Sequence, residues 1–227
     1  MGELMRQGKV DVFIDSPMPT IGVNHIGGGH AILRRWKGGV GEYRSAVFAL
    51  SESAITSVAD LRGKKLAFEQ PFSSTGYILP RIIFERLGES LSPLETASST
   101  APVGKISYVF SGDDENTMEC VLRGRVDAGA MSHNNVEKYA KTSLSKLKII
   151  WESPPVPRHL VSVRSDLAPN VVADISRTLT EMDKDNDGNA ILANFEKTEK
   201  FDAIPVHTLE LFEQYRTAVI ELLHLPR

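Results

Sequence analysis

Gln70-Pro71-Phe72-Ser73-Ser74-Thr75-Gly76-Tyr77 holds the densest group of side chains able to do chemistry in this sequence. Three hydroxyl residues precede a glycine. A strand-like run, Lys65–Glu69, comes before them, and Ile78, Leu79, Ile82, Ile83 and Leu87 follow at helical spacing. Strand, small hydroxyls and helix start together make an anion-binding geometry. The first-turn amides have no intrahelical acceptor, the helix dipole is positive there, and the hydroxyls add donors. Gly76 lets backbone come close to a ligand. The same residues also suit a plain Ser/Thr N-cap with nothing bound, and residue types alone leave both readings open.

Ser111-Gly112-Asp113-Asp114-Glu115 is a second group, again between a strand and a helix. Its carboxylates suit either a helix N-terminus or a ligand amine or hydroxyl. Asp183-Lys184-Asp185-Asn186-Asp187-Gly188 opens like an EF-hand loop, but Asn194 stands where the bidentate Glu is needed, so a turn between helices is expected. The histidines, His25 and His30 included, lack metal-ligand spacing, so no metal is expected. Cys120 sits on an apolar helix face and reads as an inert core thiol. No P-loop, dinucleotide fingerprint or Gly-x-Ser-x-Gly is present. Neither a cofactor nor an enzymatic activity is expected.

The elements that must hold these groups alternate. Strands are expected at Val10–Ile14, Ser45–Leu50, Lys65–Glu69, Lys105–Phe110, Asp127–Met131, Leu147–Trp151 and Leu160–Val163. Helical spacing marks Ile78–Leu87, Met118–Leu122, Val172–Met182 and Phe212–Leu222. Alternation of this kind argues for an α/β protein with mainly parallel sheets. Asp15, Ser16 and Pro17 end one strand and Met131 and Ser132 another. Ligands sit beyond the carboxyl ends of strands in such sheets, so Ser16 and Ser132 join the candidates.

Composition narrows the function classes. The chain has 227 residues, and 41% apolar content is enough for a core. It balances 26 basic against 29 acidic residues, so there is no basic field for nucleic acid. One cysteine excludes an intrachain disulfide. Met1–Lys9 has no apolar core of the signal-peptide kind and reads as a helix end running into a strand.

In order, several segments resemble the phosphonate/phosphite/phosphate substrate-binding proteins of ABC transporters, which are type 2 periplasmic binding proteins. They are Gly8-Lys9-Val10-Asp11, Tyr43-Arg44-Ser45 and Val58-Ala59-Asp60-Leu61-Arg62-Gly63-Lys64-Lys65-Leu66-Ala67-Phe68. Ser73-Ser74-Thr75-Gly76-Tyr77-Ile78-Leu79-Pro80, Val121-Leu122-Arg123-Gly124-Arg125-Val126-Asp127-Ala128-Gly129-Ala130 and Trp151-Glu152-Ser153-Pro154-Pro155-Val156-Pro157 complete the series. The Asp-Leu-x-Gly-Lys turn followed by Ser-Thr-Gly-Tyr is its most specific part.

The resemblance implies two α/β lobes with a ligand clamped between them. Residues 1–49 and 161–227 would form lobe 1 and residues 50–160 lobe 2, with Ser45–Leu50 and Leu160–Val163 crossing. Ser73, Ser74, Thr75 and Gly76 would hold an oxyanion, with Tyr77 flanking. Asp114 and Glu115 would meet the ligand's distal group, and Asp114 stands where the family often has His. With Asp113 these carboxylates would repel a bare phosphate, so a small anionic or zwitterionic ligand of the aminoalkyl-phosphonate kind is expected.

The resemblance also implies a periplasmic or extracytoplasmic setting and an ABC permease as partner. The family's first βαβ unit has no counterpart here, so lobe 1 is expected to be incomplete and open to homodimer formation. A ligand-sensing domain of a regulatory protein, and a binding-protein-like enzyme of precursor synthesis, are the alternatives.

Overall fold

The computed structural model describes residues 1–225, and they form two compact units. The first runs from Met1 to Tyr43 and resumes at Pro155; the second is Arg44–Pro154.

The first unit opens with α1 (Gly2–Arg6), β1 (Val12–Asp15), α2 (Pro17–Gly27), β2 (Gly29–Lys37) and β3 (Glu42–Tyr43). It resumes with β10 (Val156–Pro157), β11 (His159–Arg164), α6 (Pro169–Glu181), α7 (Asn186–Asn194), β12 (Thr198–Asp202) and α8 (Val206–Leu222). Its sheet has the order β1-β11-β2-β12, and every pairing is antiparallel. β1 and β2 still point the same way, because both run opposite to β11, which is inserted between them. Thus the strand–helix–strand alternation is that of a crossover unit, with a returning strand in its middle. Leu33, Val161, Leu192 and Phe201 form the core of one face, with Val12, Ile14, Leu179 and Met182 packed around them.

β2 and α2 escaped the sequence pattern for identifiable reasons. α2 carries Pro17, Pro19 and Gly22, poor helix formers, and depends on the burial of Met18 and Ile21. β2 carries Arg34 and Arg35 in mid-strand. Arg34 grips Asp202 through Nε at 2.9 Å and Nη2 at 2.8 Å. Arg35 donates to Thr198 Oγ1 at 2.8 Å and to the Phe195 carbonyl at 2.9 Å. These partners let two charged residues lie in a strand that a polarity pattern reads as loop. The EF-hand-like segment is a helix start: Asp185 caps α7 by accepting the Gly188 N–H at 2.7 Å.

The second unit contains β4 (Ser45–Leu50), β5 (Lys65–Phe68), β6 (Leu91–Pro93), β7 (Ile106–Phe110), β8 (Ala128–Ser132) and β9 (Leu147–Glu152). Its helices are α3 (Leu79–Arg86), α4 (Asp114–Leu122) and α5 (His133–Ala140). The sheet order is β6-β7-β5-β8-β4-β9. β6, β7, β5 and β8 run parallel, and β4 runs against both β8 and β9. This is the parallel block that the strand–helix alternation calls for.

Phe48, Ala67, Met118, Val121, Met131 and Val136 form its core, and Cys120 is partly buried against them. The turn Val58–Leu61 before β5 is structural: the Asp60 carboxylate accepts the Thr56 and Ser57 amides at 2.9 and 3.0 Å. β4 lies inside this unit and β11 inside the other, so the compact units change at 43/44 and 154/155.

Candidate functional site

β5 ends at Phe68 and the chain turns through Glu69–Ser73 into a wide helical turn, Ser74–Ile78, that runs into α3. The turn is of the π type: the Ile78 N–H donates to the Ser73 carbonyl, five residues back, at 2.9 Å. Such wide turns recur at functional sites. Ser73 caps it. Its Oγ accepts the Gly76 N–H at 2.9 Å and donates to Glu69 Oε2 at 2.5 Å. The Glu69 N–H donates to the Gly76 carbonyl at 3.1 Å, closing the loop on itself. Ser74 and Thr75 are buried, and Ser45 Oγ on β4 donates to the Thr75 carbonyl at 2.6 Å.

Gly76 is required by space rather than by backbone angle. A Cβ there would stand 2.7 Å from Glu69 Cβ and 2.8 Å from Ser73 Oγ.

Tyr77 takes a different position from the hydroxyl residues before it. Its ring is buried edge-on to Phe68 at 5.0 Å and to Phe110 at 4.9 Å between centroids. Its hydroxyl lies 3.5 Å from that of Tyr108, and Arg81 Nη1 donates to it at 3.3 Å. Burial, then the Tyr108 hydroxyl, pushes the Tyr77 phenol up and keeps it protonated. Tyr77 therefore anchors the turn from behind.

The acidic loop stands beside this turn. The Gly112 N–H donates to the Glu69 carbonyl at 2.9 Å, and Gln70 Nε2 donates to the Gly112 carbonyl at 2.8 Å. Asp113 caps α4, accepting the Asn116 N–H at 2.7 Å. Asp114 accepts a short hydrogen bond from Asn135 Nδ2 on α5, and Glu115 is exposed. Ser132 ends β8, is buried, and stands opposite Ser45 in the β4–β8 register. The carboxyl ends of β5, β7 and β8 thus gather Ser73–Gly76, Asp114, Glu115 and Ser132 in one unit.

Ser16 lies in the other unit, at the N-cap of α2. Its amide donates to Asp15 Oδ1 at 2.6 Å, and its hydroxyl lies 3.2 Å from the same oxygen. Sequence reasoning missed Glu69, Ser45 and Asn135. Glu69 had a readable signal, since it directly follows β5 and stands four residues before Ser73. Ser45 and Asn135 reach the site only through tertiary contacts. Among the described residues no group of three or more His, Cys, Asp or Glu is placed to hold a metal ion. Likewise no described helix is long and apolar enough to cross a membrane.

What the turn offers chemically is a helix start with the buried Ser74 and Thr75 and a carboxylate within one loop; the Gly76 amide and the Ser73 hydroxyl are engaged in the cap itself. Comparison with known proteins gives it a context. Residues 1–207 match the model of the family described as ABC transporter, phosphonate, periplasmic substrate-binding protein. The phosphate-import protein PhnD of Mycolicibacterium smegmatis is 26% identical over 146 residues, 60% of this chain and 43% of that protein. The phosphonates-binding periplasmic protein of Escherichia coli is 24% identical over 185 residues, 76% of this chain and 51% of that protein. The chain thus spans about half the length of these curated relatives.

A Xanthomonas citri protein solved bound to ATP superposes with a TM-score of 0.91 at 24% identity, covering 100% of this chain and 84% of that one. At that identity the likeness speaks for the fold. Other structures similar to this chain include a binding-protein component of an ABC phosphonate transporter and a periplasmic aliphatic sulphonate binding protein, so the fold is the type 2 binding-protein fold. With 207 residues matched, the chain belongs to the phosphonate family of ABC-transporter periplasmic substrate-binding proteins.

Proposed function

We propose that the second unit captures a small oxyanion, a phosphonate by preference, as the solute-binding part of an ABC importer. The single observation that carries this reading is the Ser73-capped turn. It presents helix-start amides and buried hydroxyls at the carboxyl end of a parallel sheet. Curated relatives named for phosphate import and phosphonate binding support the ligand class. Binding and release without bond-making is the role proposed, in a periplasmic setting beside a membrane permease.

Glu69, Asp114 and Glu115 stand at the same strand ends, and a bare polyanion would meet their repulsion. A zwitterion, with its amine toward Glu69 and the α4 carboxylates and its phosphonate on the turn's Ser74 and Thr75 side, satisfies both ends. One observation favours a second reading. Phe72 is 65% and Phe110 42% exposed beside the turn, and an aromatic ligand such as a nucleobase could stack there. The Xanthomonas citri relative solved with ATP belongs with that reading.

Isothermal titration of the chain with 2-aminoethylphosphonate, methylphosphonate, phosphate and ATP tests the proposal. The zwitterion is expected to bind tightest. Binding of ATP alone would move the function to nucleotides, and no heat from any of the four would overturn it. The open edge of β1 is also proposed as a self-association surface; a strictly monomeric mass by light scattering at high concentration would remove that part.

A further inference from the structure

The first unit contains a cavity of about 200 Å³ between α2, the start of β2 and α8. Ile21, Leu209 and Phe212 give it apolar walls, and Asn24, Glu213 and Arg216 are among the polar residues that line it. Asn24 Nδ2 donates to Ser162 Oγ at 3.0 Å, whereas its Oδ1 is buried with no hydrogen-bond partner. Buried acceptors are seldom left without a donor, because nothing replaces the lost water. Gly29 packs against that oxygen: a Cβ there would stand 2.9 Å from it, 2.7 Å from Met5 Sδ and 3.0 Å from the Val163 carbonyl. Arg216 pairs with Glu213, which also lines the cavity, at 3.4 Å; both side chains are more than half exposed, so a ligand carboxylate would compete with Glu213 for the guanidinium.

We propose that this cavity is a second ligand site, for a small aromatic carboxylate that carries an N–H donor. The donor meets Asn24 Oδ1, the ring packs on Ile21, Leu209 and Phe212, and the carboxylate pairs with Arg216. A dry cavity of about 150 Å³ takes a benzene ring, so this one suits a ring system with one short substituent. The site lies wholly within the first unit and owes nothing to the Ser73–Ile78 turn.

Titrating the chain with indole-3-acetate, indole and phenylacetate, read by calorimetry, tests the assignment. Indole-3-acetate is expected to bind saturably. Asn24→Leu should weaken it about tenfold and leave phenylacetate unchanged, because only the N–H contact is lost. Arg216→Gln should weaken both acids about tenfold and leave indole unchanged. Arg216 is exposed, so this variant carries the test if Asn24→Leu does not fold. No saturable binding of indole-3-acetate, which would mean a water-filled cavity, overturns the proposal. So does a binding loss in either variant that is the same for every ligand.

Discussion

Gly76→Ala should force open the Ser73–Ile78 turn, the proposed anion site. Gly76 is absent from the left-handed glycines, so alanine meets no backbone penalty there. The added Cβ would stand 2.7 Å from Glu69 Cβ, 2.8 Å from Ser73 Oγ and 2.9 Å from Glu69 Oε2. The first of these sits on the backbone end of a side chain and cannot swing away. The loop must open, and overpacking of this kind costs about 1–3 kcal/mol. Opening it also breaks the 2.9 Å bond from the Gly76 N–H to Ser73 Oγ, worth about 1 kcal/mol.

The total is about 2–4 kcal/mol, to be read as a lower urea midpoint at unchanged slope. Phosphonate affinity should fall at least about tenfold, because the amides move with the loop. Gly88→Ala is the control. Its Cβ meets nothing within 4 Å and its φ is +81°, so it should cost about 1–2 kcal/mol of strain and leave binding alone. If Gly76→Ala unfolds within about 0.5 kcal/mol of the parent and binds equally well, the cradle geometry is wrong.

Three further outcomes follow from the packing. Burial, then Arg158, Lys37 and Arg35, hold the His159 imidazole down at about 2, against 6.5 ordinarily. Protonation then favours the unfolded chain, so His159 contributes a loss of up to about 1.4 kcal/mol per pH unit as pH falls below about 6.5. His159→Leu should flatten that slope in urea titrations between about pH 4 and 6.5. Burial raises the Asp202 carboxyl, but hydrogen bonds from Arg34 and Trp36 outweigh it and hold it below 3.8. Asp202→Asn should cost about 2 kcal/mol near neutral pH, and the gap should narrow as pH falls below about 3.8. Ser45→Ala removes the 2.6 Å bond to the Thr75 carbonyl and should cost about 1–3 kcal/mol in urea unfolding, with weaker phosphonate binding by calorimetry.

The second unit was the more legible half. Its strands are short, apolar on both faces and separated by glycine stops, and Ser45–Leu50 appears with the bounds its pattern predicts. The hydroxyl triplet was legible because a helix start needs local residues. Ser45 and Asn135 were not, since the contacts that give them meaning join separate strands, loops and helices. In the first unit α2 and β2 disobey propensity and polarity, and only Met18, Ile21 and the Asp202 partner of Arg34 explain them. Strand direction was also hidden: periodicity marks β11 as a strand but says nothing of its insertion, reversed, between β1 and β2.

The most direct test of the central claim is calorimetric titration of 2-aminoethylphosphonate into the parent chain and a Ser74→Ala/Thr75→Ala variant of equal stability. Saturable heat in the parent, weakened about tenfold or more in the variant, is the predicted result. Equal affinity in both would contradict the assignment of the Ser73–Ile78 turn as the oxyanion site.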